Sequence, residues 1–162
     1  MAEIAVVSRA RCGKFCDADR TLDRILDQIA LERSVHQSAG MDRPELERRS
    51  QAFAAAVVSL CTETRKLPGA RNMADQLMDA ATSVGANYRA SSRARSRAEF
   101  VAKLGIVAEE IDESVYWLEL MARTNVGDPR TVGLLLPEAK ELRAIFAASY
   151  RTARTGKRHG QR

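Results

Sequence analysis

Arg89, Arg93, Arg95 and Arg97 fall within one short stretch, with Lys103 just beyond, and no acidic residue interrupts the arginines. A guanidinium is a planar fork that donates two parallel hydrogen bonds, the geometry a phosphate accepts best. Ser91, Ser92 and Ser96 lie between the arginines, and their hydroxyls can add backbone contacts without reading a base. The run closes on Ser96-Arg97-Ala98-Glu99, a capping box in which the serine oxygen accepts from the amide three residues on and the glutamate reaches back. A helix therefore starts here, and its first amides, with the positive end of its dipole, suit an anion. This combination makes Arg89, Arg93, Arg95, Arg97 and Lys103 the candidate contacts to RNA or DNA phosphates. Against it stands a plainer possibility, that the arginines are solvated or pair with Glu99 and neighbouring acids. No aromatic ladder accompanies them, so recognition by base stacking is not expected.

Other chemistries find little support. Helical bundles that hold paired iron ions use a glutamate followed three residues later by a histidine. Here the only histidines are His36 and His159, neither inside a helical pattern. Glu109, Glu110, Glu113 and Glu119 without imidazole read as a solvated acidic face. Cys12, Cys16 and Cys61 are an odd number with no scaffold spacing, as expected of reduced thiols in a cytoplasmic protein. A metal site from Cys12, Cys16 and His36 would lack the fourth well-spaced ligand zinc normally takes. No phosphate-binding glycine loop, dinucleotide fingerprint or nucleophile elbow occurs. Cys61 has no histidine nearby to act as its base. No metal, no cofactor and no catalysis are expected.

At 162 residues, with 45% hydrophobic side chains, the chain is long enough for one cored domain. The formal net charge is +5. Residues 1–40 balance their acids against their bases, so the remainder carries all of it. No stretch approaches the roughly 18 apolar residues that span a bilayer, and the opening MAEIAVVSRARCGK has no apolar signal core.

The elements that must position these residues are helices. Leu22, Ile25, Leu26 and Ile29 share one side of a short segment after Asp19. A polar stretch to Gly40 follows, and Met41 then reads like a natural start, so residues 1–40 are taken as an extension that is one short helix or disordered. From Asp42 four helical patterns succeed one another. The first has Asp42 as N-cap, Pro44 in its opening turn, and Leu46, Phe53, Val57 and Leu60 in register. Pro68 and Gly69 end it. The second carries Met73, Leu77, Ala80, Val84 and Tyr88, flanked by Ala81, Ser83, Gly85 and Ala86, small enough for close approach of a neighbour. Gly85 costs about 1 kcal/mol of helix propensity against alanine, which a close contact would explain. The third repeats Phe100, Leu104, Val107, Ile111, Val115 and Leu118, with Trp117 assigned to the same face. Gly127 and Asp128-Pro129 turn into the fourth, whose stripe is Leu135, Ala139, Leu142 and Phe146. Pro137 should kink that helix or restart it. Short connectors favour antiparallel neighbours. The expectation is an all-α, up-down-up-down four-helix bundle over residues 41–155, with a frayed basic tail at 156–162.

One further surface stands out. Ile106, Tyr116 and Leu120 fall opposite the core stripe of the third helix, interleaved with Glu109 and Glu113. Large apolar residues in line on an outer face point to contact with another subunit, although scattered exposed apolar residues are common.

Three stretches carry a resemblance: Ser83-Val84-Gly85-Ala86-Asn87-Tyr88-Arg89-Ala90, then Ser96 through Phe100, then Glu113-Ser114-Val115-Tyr116-Trp117-Leu118-Glu119-Leu120. In that order they resemble the bacterial four-helix-bundle proteins named after the intervening sequences of 23S ribosomal RNA, over roughly residues 43–155. The resemblance implies a protein without a catalytic site and without a settled molecular function. A related branch forms the accessory variability protein of diversity-generating retroelements, a basic pentamer that binds nucleic acid and a reverse transcriptase. It thus implies a homo-oligomer, with a pentamer expected. Two functions remain in competition: an oligomeric module binding RNA or DNA phosphates, and a protein-interaction adaptor such as a reverse-transcriptase accessory factor.

Overall fold

The computed structural model describes residue 20, residues 22–29 and residues 42–156. The described residues are helical apart from turns and caps: α1 (residues 22–29), α2 (Arg43–Thr64), α3 (Arg71–Ser91), α4 (Arg97–Thr124) and α5 (Pro129–Thr155). Cys12, Cys16, His36 and residues 157–162 of the basic tail, His159 among them, lie outside the described residues. None of the described helices is long and apolar enough to cross a membrane.

Helix starts are written in side chains. The Asp42 carboxylate accepts from the Glu45 amide at 2.9 Å, with Pro44 in the first turn. The Asp128 carboxylate accepts from the Thr131 amide at 2.8 Å and from its hydroxyl at 2.6 Å, with Pro129 as first residue. Each cap satisfies an amide that the helix itself leaves orphaned. The ends use left-handed residues, Asn125 (φ 54°) after α4 and Gly156 (φ 70°) after α5.

Helices α2 to α5 pack in order, α2 on α3, α3 on α4 and α4 on α5, and α5 returns to touch α2. The apolar stripes converge on one core that includes Phe53, Leu77, Val84, Val107, Ile111, Leu118, Leu135, Leu142 and Phe146, all fully buried. Fully burying a side chain of this size stabilises by about 1.5–3 kcal/mol. Diagonal helices α3 and α5 still meet through Tyr88 and Phe146, whose ring centroids lie 5.0 Å apart. Helix α1 joins the same core through Leu26 and Ile29 and is tied to α5 by Asp23 and Arg130 at 3.0 Å. The amphipathic segment expected in the extension is therefore part of the packed structure.

Three readings are refined. Of the two alternatives for Pro137, kink or restart, the restart is excluded, since α5 runs unbroken from Pro129 to Thr155 with the proline inside it. Phe100 and Trp117 are only half-buried. Both pack against the core from its edge, and Trp117 donates its indole N–H to Glu113 at 3.0 Å. Gly85 does lie against α2, yet a Cβ there would sit 3.6 Å from the Ser50 carbonyl oxygen. That is ordinary contact, so the approach is close enough to exclude larger residues but not alanine.

The α2–α5 seam holds what the sequence reading did not anticipate. Arg49 and Glu138 are each 1% exposed and form a two-pronged ion pair, Nε to Oε1 at 3.0 Å and Nη2 to Oε2 at 2.8 Å. Arg49 Nη1 also reaches Glu141 at 3.1 Å. Burial opposes the guanidinium charge, but the two carboxylates outweigh it and leave the Arg49 pKa raised.

Two outcomes follow from this packing. Glu138→Ala, which strands a buried guanidinium, is expected to cost about 3–5 kcal/mol in urea denaturation, whereas joint replacement of Arg49 by Met and Glu138 by Leu is close to neutral. Cys61 is fully buried, and burial pushes its thiol pKa up to about 12. In a Cys12→Ser, Cys16→Ser background, iodoacetamide should label Cys61 only as fast as the protein unfolds.

Candidate nucleic-acid interface

The α3–α4 connection places the predicted basic residues at one end of the bundle, and the same end receives the last turn of α5. Arg89 leaves α3 in its final turn, Arg93 and Arg95 occupy the connection, and Arg97 opens α4. All four are exposed. Their surroundings differ, however, and that difference decides what each can do.

Arg89 faces Glu47 of α2 at 3.5 Å. Arg97 sends Nη2 to the Ala153 carbonyl of α5 at 3.0 Å, and its guanidinium lies over Gly156, where a Cβ would come within 2.5 Å of it. It thus serves as a C-cap, satisfying a carbonyl that α5 leaves orphaned. Lys103 is half-buried and donates to the Asn87 side-chain oxygen at 3.4 Å. Arg93 and Arg95, by contrast, form no ion pair with any described residue. The candidate set divides into two uncommitted guanidiniums and three that hold helices together.

The N-terminus of α4 is also less open than the capping box suggests. Ser96 Oγ accepts from the Glu99 amide at 3.1 Å as expected. The Glu99 carboxylate, instead of returning to the Ser96 amide, accepts from the Arg95 amide at 2.8 Å. A protein carboxylate therefore already sits at the positive end of this helix, and an incoming anion would meet the side chains of Arg93 and Arg95 before any free amide.

Sequence reasoning missed contributors to this end. Arg43, the first residue of α2, lies over the Phe100 ring at 5.5 Å, a cation–π contact that links α2 to α4. Its positive charge also acts on the nearby Tyr88 hydroxyl, whose pKa is nevertheless raised, chiefly by burial. Arg151 and Arg154 project from the exposed end of α5, brought here by the Arg97 cap. Proximity of these residues was invisible in sequence, since their partners are remote along the chain.

On α4, Ile106 and Tyr116 are exposed, Tyr116 at 57%, and Leu120 is half-buried. The Tyr116 and Trp117 rings meet edge to face at 5.0 Å. The acids around them behave unequally. Glu119 takes a hydrogen bond from Lys140 at 2.8 Å, which lowers its pKa, and Asp112 pairs with Arg143 at 3.0 Å. Glu109, Glu110 and Glu113 have no cationic partner among the described residues. The Glu110 carboxyl pKa is raised by burial and then by Glu113, Glu109 and Asp79.

The family model described as 23S rRNA-intervening sequence protein matches residues 45–148, which takes in most of the bundle and the whole α3–α4 connection. The chain belongs to that family. Among solved structures, this intervening-sequence protein matches a protein with unknown function from the S23 ribosomal protein family of Bacteroides thetaiotaomicron VPI-5482. The identity is 30% with a TM-score of 0.61, covering 66% of this chain and 99% of the other. No curated protein matches it. Helix α1 precedes the stretch that the family model matches.

Removing the α5 cap should be visible apart from any ligand. Arg97→Ala is expected to lower stability by about 1 kcal/mol and to speed amide exchange over residues 152–156, while the rest of α5 keeps its protection.

Proposed function

We propose that this intervening-sequence protein is a non-catalytic, self-associating module that binds the phosphate backbone of RNA or DNA through the corner formed by the α3–α4 connection and the end of α5. The observation that carries the reading is the uncommitted state of Arg93 and Arg95. Elsewhere on the described surface, Arg65, Arg130, Arg143 and Lys140 are held by Asp75, Asp23, Asp112 and Glu119, while Arg123, Arg151 and Arg154 form no ion pair with a described residue either, the last two at this same corner. A guanidinium left without a carboxylate, among other cations and on an exposed turn, is available to phosphate at little desolvation cost. Arg89, Arg97 and Lys103 frame the corner, and Arg43, Arg151 and Arg154 add to its field.

The underlying architecture in this reading is the antiparallel, up-down-up-down bundle. Its support lies in pairs that match early residues of one helix with late residues of its neighbour, Glu47 with Arg89 and Arg97 with Ala153, while Asp112 and Arg143 meet at mid-helix. Helix α4's exposed Tyr116 and Ile106, with Leu120, support self-association.

The test is salt dependence. Binding of a labelled RNA hairpin, and of its DNA counterpart, should weaken steeply as salt rises. Arg93→Gln with Arg95→Gln should flatten the log–log slope by about two and weaken both nucleic acids alike. Affinity that ignores salt, or that survives this double substitution unchanged, would overturn the reading.

A further inference from the structure

The outward face of α4 combines exposed apolar surface with uncompensated negative charge. Ile106, Tyr116 and Leu120 lie along it, with Trp117 at its edge. Glu109 and Glu113 stand between them, Glu110 and Asp79 lie alongside, and none of these acids has a cationic partner among the described residues. A face of this kind disfavours its own copy: pairing α4 with α4 would bring Glu109 and Glu113 against the same acids of the partner. Its complement must be cationic. The cations lining the neighbouring α4–α5 groove are already spent, Arg143 on Asp112 and Lys140 on Glu119. The α3–α4 connection of this same chain offers what is missing, Arg93 and Arg95 on an exposed turn without carboxylate partners.

We infer that the α4 face of one copy receives the Arg93–Arg95 turn of another. Arg93 and Arg95 would meet Glu109 and Glu113, with a guanidinium plane free to lie on Tyr116, as Arg43 already lies on Phe100 within the chain. This rests on the self-association proposed above and names its two surfaces. The contact is heterologous, since a turn on one copy meets a helix face on the next, and repeating it builds a ring or an open chain. It has a functional consequence: phosphate and the neighbouring copy compete for the same arginines, so nucleic acid loosens the assembly.

Charge reversal by mixing tests the pairing. Wild-type protein should sediment as an assembly at low salt and lose mass when the RNA hairpin is added. Glu109→Lys with Glu113→Lys, and separately Arg93→Glu with Arg95→Glu, should each sediment as single chains with unchanged helicity. An equimolar mixture of the two should recover a two-chain complex, because the reversed face meets the reversed turn. If the lysine variant misfolds, the neutral Glu109→Gln with Glu113→Gln replaces it, and Arg93→Gln with Arg95→Gln stands in for the arginine variant; the Glu→Gln form should lose assembly and bind the RNA hairpin more tightly than wild type, since no neighbouring copy competes for the arginines. Assembly that persists in the arginine variant, or a mixture that stays monomeric, overturns the pairing while leaving self-association and phosphate binding in place. A wild-type protein that is a single chain at every concentration overturns self-association itself, and the hairpin titration then stands alone as the measure of phosphate binding.

Discussion

The seam between α2 and α5 is where this bundle closes, and it closes on charge. Arg49 and Glu138 lie in the interior at 2.8–3.0 Å, with Glu141 reaching in from the rim. Apolar residues could fill that space with less desolvation cost, and a buried ion pair is weak evidence for stability as such. What the pair does impose is register. The guanidinium donates two parallel hydrogen bonds to the Glu138 carboxylate, so sliding or rotating α5 on α2 would strand both charges. The remainder of the fold inherits that constraint, because α5 in turn fixes where its last carbonyls meet Arg97 and where Phe146 meets Tyr88.

That register also decides which cations are free. Arg143 finds Asp112, Lys140 finds Glu119, and Arg97 finds the end of α5, each across the α4–α5 interface. A helix turned by one position would reassign these partners. The distribution of committed and uncommitted charge on the surface is thus a product of packing in the interior, and the basic corner and the acidic α4 face are two sides of one arrangement.

Much of the fold was legible because local signals agree with one another. Asp42, Ser96 and Asp128 mark helix starts by chemistry that operates within three residues, and the apolar stripes of α3 and α5 repeat at helical spacing. The buried pair was legible in principle: Arg49 falls between Leu46 and Phe53, and Glu138 between Leu135 and Leu142, each squarely in a core stripe. A charge in that position reads as solvated until its opposite is recognised on another helix. Trp117 belongs to the core only by its edge, since a large aromatic residue beside a stripe can pack against it while its indole N–H is served by Glu113. The basic cluster itself was plain in the sequence. Its division into available and employed arginines was not, because Glu47 and Ala153 lie far along the chain from the residues they engage.

Arg97 has two claimants. Its guanidinium holds the final turn of α5 shut, and it also belongs to the exposed basic patch proposed above to meet phosphate. Drawing it away would release the Ala153 carbonyl and let the helix end unwind. The corner therefore has a built-in order of recruitment, in which the loose arginines give way first and the stapled one yields only at the expense of the scaffold. A surface graded in this manner can hold a ligand lightly with the fold intact, and tighter gripping would be registered as fraying at the far terminus of the chain's last helix.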